Sequence, residues 1–145
     1  MSSTIINTIL PDKWLTTKVV KGSGRGKRLG FPTINLDYKI TKLQDYKWGV
    51  YLCEIKFPNN LILYYSNSLV HFGLLHYGPR ATFKEFKPQL EIYIFDFNKN
   101  IKAGEKVKFR LIRLIRKTKK FDSSEELVKQ IRKDVKKAEL IIKDR

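Results

Sequence analysis

At 145 residues, with 30 Lys and Arg against 14 Asp and Glu and a net charge of +16, the chain has the size of one domain and can bury a real core. No apolar run is long enough to cross a membrane, "MSSTIINTIL" lacks the basic start of a signal peptide, and the single Cys53 excludes disulfide frameworks and cysteine metal sites. The charge favours an anionic partner such as nucleic acid, anionic lipid or polyphosphate, although Lys, Ile and Asn abound throughout and much of the charge can simply solvate the surface.

The expectation is a cytoplasmic protein with an N-terminal arm over 1–12 and one domain over 13–145. Two histidines, His71 and His76, are too few to form a metal site alone, and Cys53 reads as a small core residue. A first strand at Leu15–Lys21 runs into "GSGRGKRLGFPTINL", residues 22–36. Gly22, Gly24 and Gly26 suit a loop with unusual dihedrals or close ligand approach, and Arg25, Lys27 and Arg28 suit an anion. Pro32 pushes Phe31 towards extended geometry, and Thr33 and Asn35, two apart, then present oxygens to one side. Such a pair beside a cationic loop can hold a metal-bound phosphate; an ordinary hairpin loop leading into a strand is the simpler alternative. The run is neither a Walker loop nor a dinucleotide fingerprint, since no Gly-Lys-Ser/Thr follows and Pro32 stands where a helix would begin.

"WGVYLCEIKF", 48–57, reads as a strand ending at the turn Pro58-Asn59-Asn60, with "LILYY", 61–65, as its hairpin partner. "LVHFGLL", 69–75, is a further strand in which Gly73 marks a bulge. "QLEIYIFDF", 89–97, alternates, placing Leu90, Ile92 and Ile94 on one side and Glu91, Tyr93 and Phe95 on the other. "EKVKFRLIRLIRK", 105–117, is a long basic strand after a turn at Gly104. The period then changes: Leu127, Ile131, Val135, Ala138 and Ile142 follow helical spacing behind a Ser123–Glu126 capping box. These elements predict a mainly β fold, a small antiparallel Greek-key-like barrel of about six strands with a C-terminal amphipathic helix.

Glu91 is out of place in an apolar, aromatic strand; it needs a partner, a solvent-filled mouth or a chemical role. Five segments in order resemble the riboflavin kinase (flavokinase) family in a monofunctional, single-domain form. They are "GSGRGKRLGFPTINL", Gly49-Val50-Tyr51, Tyr77-Gly78-Pro79-Arg80-Ala81-Thr82-Phe83, "LEIYIFDF" over 90–97, and "RLIRKTKKFDSSEEL". The resemblance covers about residues 14 to 142, nearly the whole chain, and departs from the family's pattern at His76 and Ala81.

The resemblance implies ATP-dependent phosphorylation of riboflavin at its 5′-hydroxyl to FMN and ADP. It makes Glu91 the general base and Gly22, Gly24, Arg25, Gly26 and Lys27 the ATP-phosphate loop. Thr33 and Asn35 become ligands of Mg²⁺, with Zn²⁺ or Mn²⁺ as alternatives, and Arg80, Thr82, Phe83 and Arg116 become flavin contacts. Arg113 is open to a phosphate or flavin contact or to a solvent-facing place on its strand. On this reading the chain is a monomer, with ATP as co-substrate and no obligate nucleic acid or membrane partner. Two alternatives stand beside it. One is a basic barrel stacking single-stranded nucleic acid on Tyr51, Tyr64 and Tyr93; the other is a non-catalytic flavin or nucleotide binder on the same scaffold.

Overall fold

Strict alternation along "QLEIYI" divides inside from outside: Leu90, Ile92 and Ile94 are buried, while Gln89, Glu91 and Tyr93 are only partly so. In the computed structural model the described residues are 10–39, 43, 45–57, 70–97 and 101–145. Their elements in chain order are β1 (Leu15–Val20), a helical turn α1 (Arg25–Arg28), β2 (Ile34–Leu36), β3 (Gly49–Lys56) and β4 (Val70–Gly78). A 3-10 turn (Ala81–Phe83), β5 (Gln89–Ile94), β6 (Lys106–Lys117) and α2 (Ser124–Lys143) follow.

The strands close into a barrel in the order β1-β2-β5-β4-β3-β6, with every pairing antiparallel. β3, β4 and β5 form a meander and β6 returns beside β3, which is a Greek key. The mainly β barrel with a terminal helix expected from the sequence is the fold observed. Both edges of β3 are paired, by β4 and β6, over Gly49–Lys56. The turn expected at 58–60 and the strand expected at 61–65 lie outside the described residues, as does most of the N-terminal arm. Of that arm, Leu10 packs against the barrel interior and Asp12 pairs with Arg110 at 2.7 Å.

Two apolar clusters divide the burial. Inside the barrel, Val19, Leu36, Tyr51, Ile55, Leu75, Ile92, Val107 and Phe109 meet around Cys53. Burial, with Glu54 beside it, pushes the Cys53 thiol pKa up, consistent with its place as a core residue. On the outer face, Val50, Leu52, Leu74 and Ile115 are covered by Ala138, Val135, Ile141 and Ile142 of α2. Ser123 caps that helix by accepting from the Glu126 backbone N–H at 3.2 Å, and the Glu126 carboxylate reaches back to Asp122 N at 3.3 Å.

Gly73 of β4 plays a different part from the bulge expected of it. Gly73 keeps register with both Cys53 and Ile94; the irregularities fall in the β3–β6 pairing, between Val50 and Tyr51 and between Leu52 and Cys53. A Cβ on Gly73 would lie 2.6 Å from the Tyr93 carbonyl oxygen and 2.9 Å from Ile92 Cγ2. Its absence lets β4 and β5 pack closely at the barrel wall. Gly73→Ala is therefore expected to destabilise the fold by about 1–3 kcal/mol through overpacking. Chemical denaturation measures this, and an unchanged midpoint would refute the close-approach account.

Candidate active site

Residues directly opposed in an antiparallel pair project to the same face. The register runs Asn35↔Glu91, Glu91↔His76, His76↔Val50 and Val50↔Arg116, so five side chains on five strands share one row. The adjacent row, Ile34↔Ile92, Ile92↔Leu75 and Leu75↔Tyr51, belongs to the barrel interior. Glu91 thus stands on the outer wall, flanked by Asn35 and His76.

Arg80, just beyond β4, ties this row together. Its guanidinium pairs with Glu91 Oε2, donates to Asn35 Oδ1 at 3.2 Å and reaches Ser23 Oγ at 3.4 Å. Thr33 Oγ1 donates to the same Glu91 Oε2 at 3.2 Å. Asn35 and Glu91 therefore meet on the Arg80 cation, and Thr33 joins them through Glu91 Oε2. Arg25 pairs with Glu85 at 2.5 Å and lies 4.2 Å over the Phe83 ring, bridging the glycine run to the segment after the 3-10 turn.

The glycine run is a tight helical turn and not an open loop. Arg28 N donates to Gly24 O at 3.3 Å and Phe31 N to Gly26 O at 2.8 Å. Gly24 has φ +75°, a backbone conformation that glycine adopts without strain. Gly22 and Gly26 serve close approach. A Cβ on Gly22 would overlap the Asn35 amide at 1.8 Å, and one on Gly26 would lie 2.4 Å from the Phe31 carbonyl oxygen. The run thus lies directly upon the Thr33–Asn35 segment. Of its cations only Arg25 turns into the cleft; Lys27 and Arg28 are exposed.

The cleft beside the row is walled by the α1 turn, β4, β5, the 3-10 turn and α2. All four residues expected near a flavin line it: Arg80, Thr82, Phe83 and Arg116. Gly26, Arg25, Thr33 and Glu91 line it too, whereas Gly22, Gly24, Lys27 and Asn35 do not. Arg113 is exposed and stands away from the cleft. Leu74, Leu127 and Ile131 make the wall towards the helix apolar.

Three buried side-chain nitrogens in this wall find no partner among the described residues: Arg25 Nη1, Arg80 Nε and His76 Nδ1. Unpaired buried polar atoms are unfavourable, so the cleft calls for a polar, anionic occupant. Burial lowers the Arg80 guanidinium below its ordinary value, with Arg25 beside it acting the same way and Glu85 opposing. Burial, then the Arg80 and Arg116 cations, lowers His76 to about 4 and keeps it neutral at neutral pH.

Four contributors escaped sequence reasoning: His76 as Glu91's neighbour, Glu85, Ser23 and Asp134. Asp134 is buried, takes Arg116 Nε at 2.9 Å and accepts from Gln130 at 2.9 Å. Its signal was present, an acid beside Val135 on the apolar stripe of the helix. For a metal ion, the described residues contain no cluster of three or more His, Cys, Asp or Glu able to hold one. The available donors are the neutral oxygens of Thr33 and Asn35 beside one carboxylate. That set fits a hard divalent ion whose remaining ligands come from phosphate. Of the aromatics considered as stacking platforms, Tyr51 is inside the barrel with its hydroxyl on Lys47 O at 2.5 Å, Tyr93 lies edge-on to Phe31, and Tyr64 is outside the described residues.

A family model described as flavokinase, riboflavin kinase, matches residues 12–142. The RNA-binding riboflavin kinase RibR of Bacillus subtilis is 38% identical over 118 residues, covering 81% of this chain and 46% of that protein. A solved structure from Streptococcus pneumoniae, described as a macrolide-efflux protein, superposes with a TM-score of 0.66 at 27% identity, over 94% of this chain and 45% of that one. Riboflavin kinase from Trypanosoma brucei shares the fold, with a TM-score of 0.58 at 24% identity over 90% of this chain and 79% of that one. The chain spans less than half the length of the curated relatives it matches. Because the family match runs through both the barrel and its helix, the chain belongs to the flavokinase family, the riboflavin kinases.

Proposed function

We propose that this chain transfers the γ-phosphoryl group of ATP to the 5′-hydroxyl of riboflavin, giving FMN and ADP. The observation that carries the reading is that Asn35 lies opposite Glu91 and Thr33 bonds the same carboxylate, beside the glycine turn and an apolar wall. A phosphate site and a ring site then flank a single carboxylate.

In this reading the riboflavin hydroxyl oxygen attacks the γ-phosphorus as the bond to the β–γ bridging oxygen breaks. Glu91 accepts the hydroxyl proton, and ADP leaves. Arg25 and Arg80, each with a buried N–H in want of a partner, meet the phosphate charge. Thr33 Oγ1 and Asn35 Oδ1 would hold Mg²⁺, or Zn²⁺ or Mn²⁺ in its place, together with the phosphates. Such an ion, when bound, neutralises phosphate charge and fixes its direction. Asn35 Oδ1 now accepts from Arg80, so Arg80 must yield it to a cation and is then free to follow the phosphates.

The flavin ring takes the wall of Phe83, Leu74, Leu127 and Ile131, with Arg116 and Thr82 at its border. Arg116 is held there by Asp134, while Thr82 Oγ1 accepts from Phe121 N at 3.0 Å. We place this chemistry in a cytoplasmic monomer acting on small molecules without obligate nucleic acid. No helix among the described residues is long and apolar enough to cross a membrane.

The direct test is incubation with riboflavin, ATP and Mg²⁺, with FMN followed by chromatography; no FMN would refute the reading. Glu91→Gln keeps the size but not the basicity, and should lower turnover by about 10²- to 10⁴-fold with nucleotide affinity nearly intact. Retention of more than about a tenth of the rate under chemistry-limited conditions would remove Glu91 from the role of base.

Thr33→Val and Asn35→Leu should each weaken Mg²⁺-dependent ATP binding. Their double variant should lose less than the product of the single losses, because one ion serves both. Mg²⁺ titrations at fixed ATP check this, and wild-type metal dependence in both single variants would sink the assignment. Gly22→Ala should reproduce the Asn35→Leu defect in a folded protein, since its new methyl group occupies the place of the Asn35 amide. An unaltered Mg²⁺ titration in that variant would uncouple the glycine turn from the metal donors.

A further inference from the structure

The row that places Glu91 also orders its neighbours. From the Thr33–Asn35 segment under the glycine turn, the outer wall passes Glu91 on β5, then His76 on β4, then Val50 on β3. Beyond His76 the cleft is lined by the apolar Val50 and Leu74 of the barrel and Leu127 and Ile131 of α2, together with Arg116 and Asp134. If the reacting hydroxyl sits at Glu91 and the ring on the apolar wall, the chain joining them must cross His76. Opposed cross-strand residues have Cβ atoms about 4.5–5.5 Å apart, a separation on the scale of hydroxyls two carbons apart on an extended polyol.

His76 is suited to meet such a hydroxyl. Its Nδ1 is buried and has no hydrogen-bond partner among the described residues, although the ring borders the cleft. A neutral imidazole offers one donor and one acceptor, and a secondary hydroxyl can complement either. Arg80 and Arg116, the cations facing it, work with burial to keep the ring neutral, so it does not compete with Arg80 for the Glu91 carboxylate.

We infer that His76 is a substrate-specificity residue that hydrogen-bonds a secondary hydroxyl of the flavin's polyol chain and so delivers the terminal hydroxyl to Glu91. This rests on the kinase reading above and adds a contact to it. The test compares riboflavin with lumiflavin, which carries the ring without the polyol, by quenching of flavin fluorescence. His76→Leu should weaken riboflavin binding by about 5- to 30-fold, the range for a lost hydrogen bond that leaves a buried polar group unpaired. Lumiflavin binding should change by less than about twofold, and His76→Gln, which keeps a donor and an acceptor, should recover most of the riboflavin affinity.

Equal losses for both flavins, or no loss for either, would overturn the inference. A readout on the wild-type protein needs no variant. With only two histidines in the chain, ¹⁵N NMR should show the His76 ring nitrogens shifting on addition of riboflavin and not of lumiflavin. Absence of that difference would also overturn it. If wild-type protein binds and phosphorylates riboflavin while His76→Leu is indifferent, this inference alone falls. If wild-type protein binds no riboflavin, the kinase reading falls with it.

Discussion

The contact on which the site depends is the pairing of the Arg80 guanidinium with Glu91. A carboxylate on a strand otherwise given to apolar and aromatic residues would be unfavourable without a partner. Arg80 supplies the opposite charge from the segment after β4, and the same guanidinium takes Asn35 from β2 and Ser23 from the glycine run. One planar cation with several donors thereby fixes three separate stretches of chain about a single acid. Thr33 adds a neutral donor to the same oxygen. Because Arg80 is almost enclosed, this network works in a setting where each bond counts for more than at the surface.

A second ion pair does comparable work at the far end of the row. Asp134 lies within the apolar stripe of α2, and its carboxylate holds Arg116 from β6 with help from Gln130. The helix is thus docked by apolar burial, by the Arg116–Asp134 pair and by Lys137 Nζ donating to Ile115 O at 3.1 Å, and its approach to the barrel sets the width of the cleft. Removing either partner would leave the other enclosed without its counter-charge, which is why such pairs tolerate joint replacement better than single truncation.

Much of this was legible in the sequence because strand periodicity is local. The alternation of Leu90, Ile92 and Ile94 against Glu91 and Tyr93 announced both the barrel wall and the exceptional acid. The Thr33–Asn35 spacing put two oxygens on one side of a strand before any partner was known. What could not be read was register, which is a relation between distant segments. That His76 opposes Glu91, or that Arg80 reaches back across 45 residues to Asn35, follows from how β2, β5 and β4 align and from nothing near either residue. The same holds for Gly73, whose reason lies in the Tyr93 carbonyl on the neighbouring strand. The glycine run was open to two descriptions, and it lies so close to its neighbours that a Cβ at Gly22 or Gly26 would meet Asn35 or Phe31. Tyr51, a stacking platform only in the nucleic-acid alternative, is enclosed in the barrel, and which way an aromatic on a strand faces is decided by the pairing.

The placement of the site on the outside of a closed barrel has a further consequence. Interior and site residues alternate along the same strands, so each strand carries two nearly independent texts, one governing how well the barrel holds together and one governing what the cleft accepts. Ile92 and Leu75 belong to the first, Glu91 and His76 to the second, although they are chain neighbours. A lineage of such proteins can therefore rewrite its ligand preference on one face without repacking the other. An engineer can do the same, treating the sealed interior as a chassis and the outer row as the part to be exchanged.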